Sequence, residues 1–149
     1  ELYENNISSF SIFLSSAVSL KDEDIKLSER IILPSNRLRG FERGKVGPKD
    51  GDDFIGGNYA ATINFSSTIP QILQNSENID LLFFVDIGNV WGVDYFDGDD
   101  EGSEIRSSTG LGIDWLTPVG PLNFTFATAI TKADTDKTET FRFNLGTSF

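Results

Sequence analysis

The sequence predicts an all-β fold, an antiparallel transmembrane β-barrel contributing about six strands in these residues. Three observations lead there. Apolar and polar residues alternate with period two over most of the chain. The polar positions are filled by Ser, Thr, Asn, Ala and Gly, with few long charged side chains. No apolar run reaches the roughly 18 residues that a transmembrane helix needs, and strands cross a bilayer only as closed barrels.

The segments follow in order. Phe10, Ile12, Leu14, Val18 and Leu20 alternate with Ser9, Ser11, Ser15, Ala17 and Ser19, with Phe13 and Ser16 as exceptions. Tyr59, Ala61, Ile63 and Phe65 oppose Ala60, Thr62, Asn64 and Ser66. Ile79, Leu81, Phe83, Val85 and Ile87 oppose Asp80, Leu82, Phe84, Asp86 and Gly88. Leu82 and Phe84 make this strand apolar on both faces, so its inner wall is expected to pack against something. Ile105, Leu111, Ile113 and Trp115 oppose Arg106, Ser108, Gly110, Gly112 and Asp114, with Ser107 and Thr109 diluting the apolar row. Leu122, Phe124, Phe126, Thr128 and Ile130 oppose Asn123, Thr125, Ala127 and Ala129. The last strand sets Phe141, Phe143, Leu145, Thr147 and Phe149 against Arg142, Asn144, Gly146 and Ser148. These lengths are near the roughly 9–11 residues that cross a bilayer at barrel tilt. A soluble β-sandwich also alternates, but its outer face normally carries Lys and Glu, and the composition favours the barrel.

The connections also fit. Residues 21–57 and the acidic 92–103 are long, 69–78 is of medium length, Thr117–Pro121 is tight, and 132–138 is polar and charged. Long connections belong outside the cell and short ones in the periplasm. Residues 21–57 exceed what a hairpin needs. Between Arg30 and Lys49 this loop holds six basic residues and one acidic residue, Glu42, in a chain of net charge −11. A basic segment in an acidic protein has a polar or acidic wall to fold against.

Composition excludes several classes of chemistry. The chain has no Cys, His or Met, which removes disulfides, thiol chemistry, His metal sites and a Ser-His-Asp triad. The acidic balance argues against nucleic acid as a partner. Asp94, Asp97, Asp99, Asp100, Glu101 and Glu104 lack EF-hand spacing and read as a solvated loop. Asp86 and Asp114 fall on different strands with no substrate pocket implied, so no catalytic residue, metal or cofactor is expected. Glu1-Leu2-Tyr3 opens no signal peptide, and the lack of an initiating Met suggests a processed chain or an excised piece.

Linked motifs in a fixed order add a resemblance. Leu38-Arg39-Gly40-Phe41 is followed by Gly47-Pro48 and Gly56-Gly57-Asn58, then by Phe83-Phe84-Val85-Asp86-Ile87-Gly88-Asn89-Val90-Trp91. Arg106 to Leu122 and the ending Phe141-Arg142-Phe143-Asn144-Leu145-Gly146 with Phe149 complete the series. From about Leu33 onward this resembles the bacterial surface antigen family of outer-membrane assembly barrels. Leu38 stands where the family usually has Val.

The resemblance implies a sixteen-stranded barrel preceded by POTRA domains, with residues 1–149 as its C-terminal portion, strands eleven to sixteen. It implies that the loop 21–57 folds into the lumen and that Arg39 meets Asp86 on the inner wall. Asn64 stands where the family often has a second acid. The implied function is assembly and insertion of outer-membrane β-barrels, with client strands templated at a lateral seam beside Phe141, Phe143, Leu145, Gly146 and Phe149. The implied partners are unfolded outer-membrane clients, lipoprotein subunits reached through upstream POTRA domains, and outer-membrane lipid. A protein-secreting barrel of the same superfamily and a passive porin-like channel are the alternatives.

Overall fold

Alternation with period two produces strands whose two faces meet different surroundings, and the computed structural model builds them into one sheet. It describes residues 6–20, 23–69, 78–94 and 104–146. In chain order the strands are β1 (Ser8–Ser16), β2 (Lys49–Asp50), β3 (Asp53–Phe54), β4 (Tyr59–Ile69), β5 (Ile79–Trp91), β6 (Arg106–Thr117), β7 (Gly120–Thr131) and β8 (Phe141–Leu145). Six of them form a meander in the order β1-β4-β5-β6-β7-β8, and β2 pairs with β3 in a small hairpin inside the long loop. Every pairing in the six-stranded sheet is antiparallel.

The register lines the inner positions up across the sheet. Asn64 lies opposite Asp86, and Asp86 lies opposite Ser108. On the other face Phe10, Ile12, Leu14, Ile63, Phe65, Phe83, Ile87, Leu111, Trp115, Phe126, Phe141, Phe143 and Leu145 are all exposed. Apolar side chains normally leave the surface in a protein surrounded by water; a continuous outward row of them suits a hydrocarbon solvent.

The core lies on the polar face, between the sheet and the long loop. Leu33, Leu38, Phe41 and Val46 of the loop pack with Ala60 and Val90 of the wall, joined by Phe13, Ile31 and Ala129. Among the described residues no second sheet covers the outward row, as a sandwich would require.

Several bounds differ from those read in the sequence. The first strand ends at Ser16: Ala17 still donates to the Asn58 carbonyl, and Val18 and Leu20 then leave the pairing and stand exposed. The second runs on to Ile69 and the third to Trp91. Of the last, read as Phe141–Phe149, residues 147–149 lie outside the described residues. The strand ends at Leu145, because Gly146 turns the backbone to φ +106°. Phe149, most of the acidic run and most of the 69–78 connection lie outside the described residues.

Candidate functional site

Arg39 lies at the tip of the loop, and the geometry around it is built from the wall outward. Asp86 on β5 is fully buried under the loop. Its Oδ2 accepts from Arg39 Nε at 2.7 Å and from the Arg39 backbone N–H at 3.0 Å; its Oδ1 accepts from Arg39 Nη2 at 2.7 Å and from Asn64 Nδ2 at 2.9 Å. Four donors saturate the carboxylate, which offsets the cost of taking its charge out of water. The two side-chain contacts are the planar fork that guanidinium makes with carboxylate. The Arg39 guanidinium also stacks 3.7 Å from the centre of the Phe84 ring.

That stacking explains an apolar residue in a polar row. Phe84 faces inward, is fully buried, and forms a platform beneath Arg39. Gly110 on the next strand leaves room for it: a Cβ there would meet Phe84 Cζ at 2.7 Å and the Phe126 carbonyl oxygen at 2.1 Å. Phe13, the exception in the first alternating segment, is likewise covered by the loop, with Arg37 5.2 Å from its ring centre.

Asn64 does not receive Arg39. It donates both to Asp86 and to the Arg37 carbonyl, at 2.7 Å, so an amide here ties wall and loop together where an acid could only accept. Gly40 turns at φ +88° with Ser108 and Ala127 directly behind it, and Phe41 drops into the core. Leu38 is buried in the same cluster.

The loop tip is zipped to the β7–β8 connection as well. Phe41 bridges to Thr138, Glu42 N–H donates to the Lys137 carbonyl, and Glu139 N–H donates to the Gly40 carbonyl. The 132–138 connection, read as polar and charged, therefore partly folds onto the loop. Its Asp136 is buried against Arg106, with Arg106 Nε to Asp136 Oδ2 at 2.8 Å and Nη2 to Oδ1 at 3.1 Å. Arg106 Nη1 also donates to Asn89 Oδ1 and the Glu104 carbonyl.

Of the terminal-strand residues, Phe141, Phe143 and Leu145 point away from the loop. Phe141 packs on Phe126 and Phe143 on Phe124, with ring centres 5.0 and 5.1 Å apart. The residue of β8 that reaches the loop is Arg142, which the sequence placed on the polar row without a partner. The only signal for it was a lone Arg among small polar neighbours.

The described residues therefore present a six-stranded sheet with an apolar outward face and a polar face covered by a basic loop. The Omp85 superfamily domain matches residues 4–149. The chain belongs to the Omp85 superfamily. Among Omp85 relatives, the outer membrane protein assembly factor BamA of Neisseria meningitidis is 30% identical over 139 residues, 75% of this chain and 17% of that protein. BamA of Neorickettsia risticii is 30% identical over 130 residues, 85% of this chain and 17% of that protein. A SAM50-like protein of Schizosaccharomyces pombe is 31% identical over 157 residues, 97% of this chain and 33% of that protein. The crystal structure of BamA from Haemophilus ducreyi lacking POTRA domains 1–3 superposes with a TM-score of 0.79 at 24% identity, covering 93% of this chain and 30% of that one, a likeness of fold. The chain thus spans about a sixth of its bacterial relatives' length, and it is part of an integral outer-membrane Omp85 barrel.

The membrane span fits that placement. Trp115 lies level with Ile79, and Trp91 stacks on Tyr59 at the other end of β5. Twelve steps from Ile79 to Trp91 rise roughly 40 Å along the strand, or about 30 Å along the normal at a tilt near 40°, so Trp115 at one end and the Tyr59–Trp91 pair at the other bracket a hydrocarbon core.

Proposed function

We propose that this chain is the C-terminal portion of a barrel that assembles and inserts other outer-membrane β-barrel proteins. In this reading residues 21–57 fold into the lumen and client strands are templated beside β8. The observation that carries it is the loop tip fixed to the polar wall through Arg39 and Asp86. A passive pore works through an open aqueous path, whereas here the wall is covered by a packed loop. The BamA relatives are outer membrane protein assembly factors by name, which supports this reading.

In the sixteen-stranded barrel that the resemblance implies, β8 meets the first strand on its far side, and a client strand would be templated at that seam. Pairing through the main chain gives affinity with little demand on side-chain sequence, which suits many different clients. The partners in this reading are unfolded barrel proteins, lipoprotein subunits acting through upstream POTRA domains, and lipid.

The test uses the full-length protein with a photo-crosslinking side chain at Asn144 or, as control, at Leu111 on β6. Pulse-labelled barrel clients are expected to be captured at Asn144 and not at Leu111. Depletion of the protein should remove heat-modifiable porins from the membrane. Equal capture at both sites sinks the templating step. Normal porins together with loss of one secreted protein would replace insertion by translocation.

A further inference from the structure

Among the described residues Arg142 is the β8 side chain that hydrogen-bonds to the long loop, and it uses all three guanidinium nitrogens. Nε donates to Glu139 Oε2 at 2.7 Å, Nη1 to the Ser35 carbonyl at 2.8 Å and Nη2 to the Phe41 carbonyl at 2.8 Å. Ser35 and Phe41 flank Arg39, so Arg142 grips the loop on both sides of the residue that Asp86 holds. The loop therefore spans from β5, across β6 and β7, to the last strand. We propose that Arg142 is a positioning residue that couples the seating of the loop tip to the pairing of β8 with β7.

The physical basis is the weakness of that pairing. β8 aligns with β7 over Phe141–Leu145 only, opposite Leu122–Phe126, and one further bond, from the Gly146 N–H to the Pro121 carbonyl, follows where the backbone turns. The rest of β7 has no β8 residue in register, though Ala127 N–H donates to the Thr140 carbonyl. A short strand gains a large share of its order from any further tie, and hydrogen bonds from a charged group are the stronger kind. The groups facing Arg142 are the Glu139 carboxylate, the two loop carbonyls and Thr125, its cross-strand neighbour on β7. Releasing Arg39 from Asp86 frees the two carbonyls to move, and Arg142 passes that release to β8. The coupling is a property of this wall and loop, whichever barrel activity they serve.

Hydrogen exchange on the full-length protein folded in lipid vesicles tests it, with β8 amides as the readout and β6 amides as the reference. Arg39→Ala is expected to speed exchange of β8 by about tenfold or more, the factor carried by one hydrogen bond to a charged group. Arg142→Ala should do the same alone, and adding Arg39→Ala to it should change β8 by less than about twofold. Arg142→Lys keeps the charge, loses the fork and should behave like a partial Arg142→Ala, so the cycle can be closed with a folded variant. The β6 amides should stay constant throughout. Two effects on β8 that multiply, or an Arg39→Ala protein whose loop exchanges fast while β8 does not, would overturn the coupling.

Discussion

Replacing Arg39 with alanine is the sharpest test of what seats the loop. The change deletes two charge-assisted hydrogen bonds to Asp86, both at 2.7 Å, and the stack on Phe84. It spares the backbone N–H of residue 39 and Asn64 Nδ2, so the carboxylate keeps two of its four donors while remaining fully buried. Breaking a buried ion pair from one side costs about 3–5 kcal/mol, because the surviving charge is left short of partners. The surviving donors place the expected loss at the lower end, about 3 kcal/mol, or roughly a hundredfold in the opening equilibrium of the loop. The assay is exchange of the amides of residues 38–42 in the membrane-folded protein, with tryptic cleavage at Arg37, Arg43 and Lys45 as a second readout. Asp86→Ala strands all four donors and should open the loop at least as far. The double variant should fall short of the sum, since both changes delete the same bonds. Exchange within threefold of wild type in Arg39→Ala would refute the reasoning and assign the seating to the apolar contacts of Leu33, Leu38 and Phe41.

Two further perturbations probe the wall itself. Phe126→Arg places a charge on the outward face near the middle of β7 and should cost about 2–4 kcal/mol of folding stability in bilayers, read as a lower denaturant midpoint; an unchanged midpoint would mean that this face does not meet lipid. Arg106→Met should destabilise by about 3–5 kcal/mol by leaving Asp136 buried without its cation, and Asp136→Leu added to it should restore much of that, by the same measurement; a double variant no better than the single one would show that the hydrogen bonds of Arg106 to Asn89 and Glu104 dominate.

What the sequence made legible was the facing of each strand. Alternation placed Asp86, Asn64 and Arg142 on one side and the Phe rows on the other, and the structure has them so. Register was not legible, because a period of two repeats at every second residue; only the folded sheet aligns Asn64, Asp86 and Ser108 in one line. The inward Phe84 signalled a packed inner wall, but its partner was hidden, since nothing in a strand pattern says that a guanidinium will cover a ring. Phe13 carried the same signal and stood only as an exception to the alternation. Arg142 was harder still. Its partners are the carbonyls of Ser35 and Phe41, and every residue has a carbonyl. Asp136 lay in a connection read only as polar and charged, and its burial depends on Arg106 lying at the start of β6.

These misses share one cause. The sheet buries little by itself: one face is apolar and turned outward, the other is lined with small polar side chains. A core forms only when Leu33, Leu38, Phe41 and Val46 are brought in from a loop far away in sequence, and the charged side chains that hold that loop come from two different strands, Asp86 of β5 and Arg142 of β8. Local patterning specifies strands, and long-range charge placement specifies what fills them. The loop is therefore part of the fold and not an appendage to it. A variant that removes residues 33–48 should strip both the apolar cover and the donors of Asp86, leaving a buried carboxylate with Asn64 alone, a state that an inner wall of this composition would relieve only by admitting water.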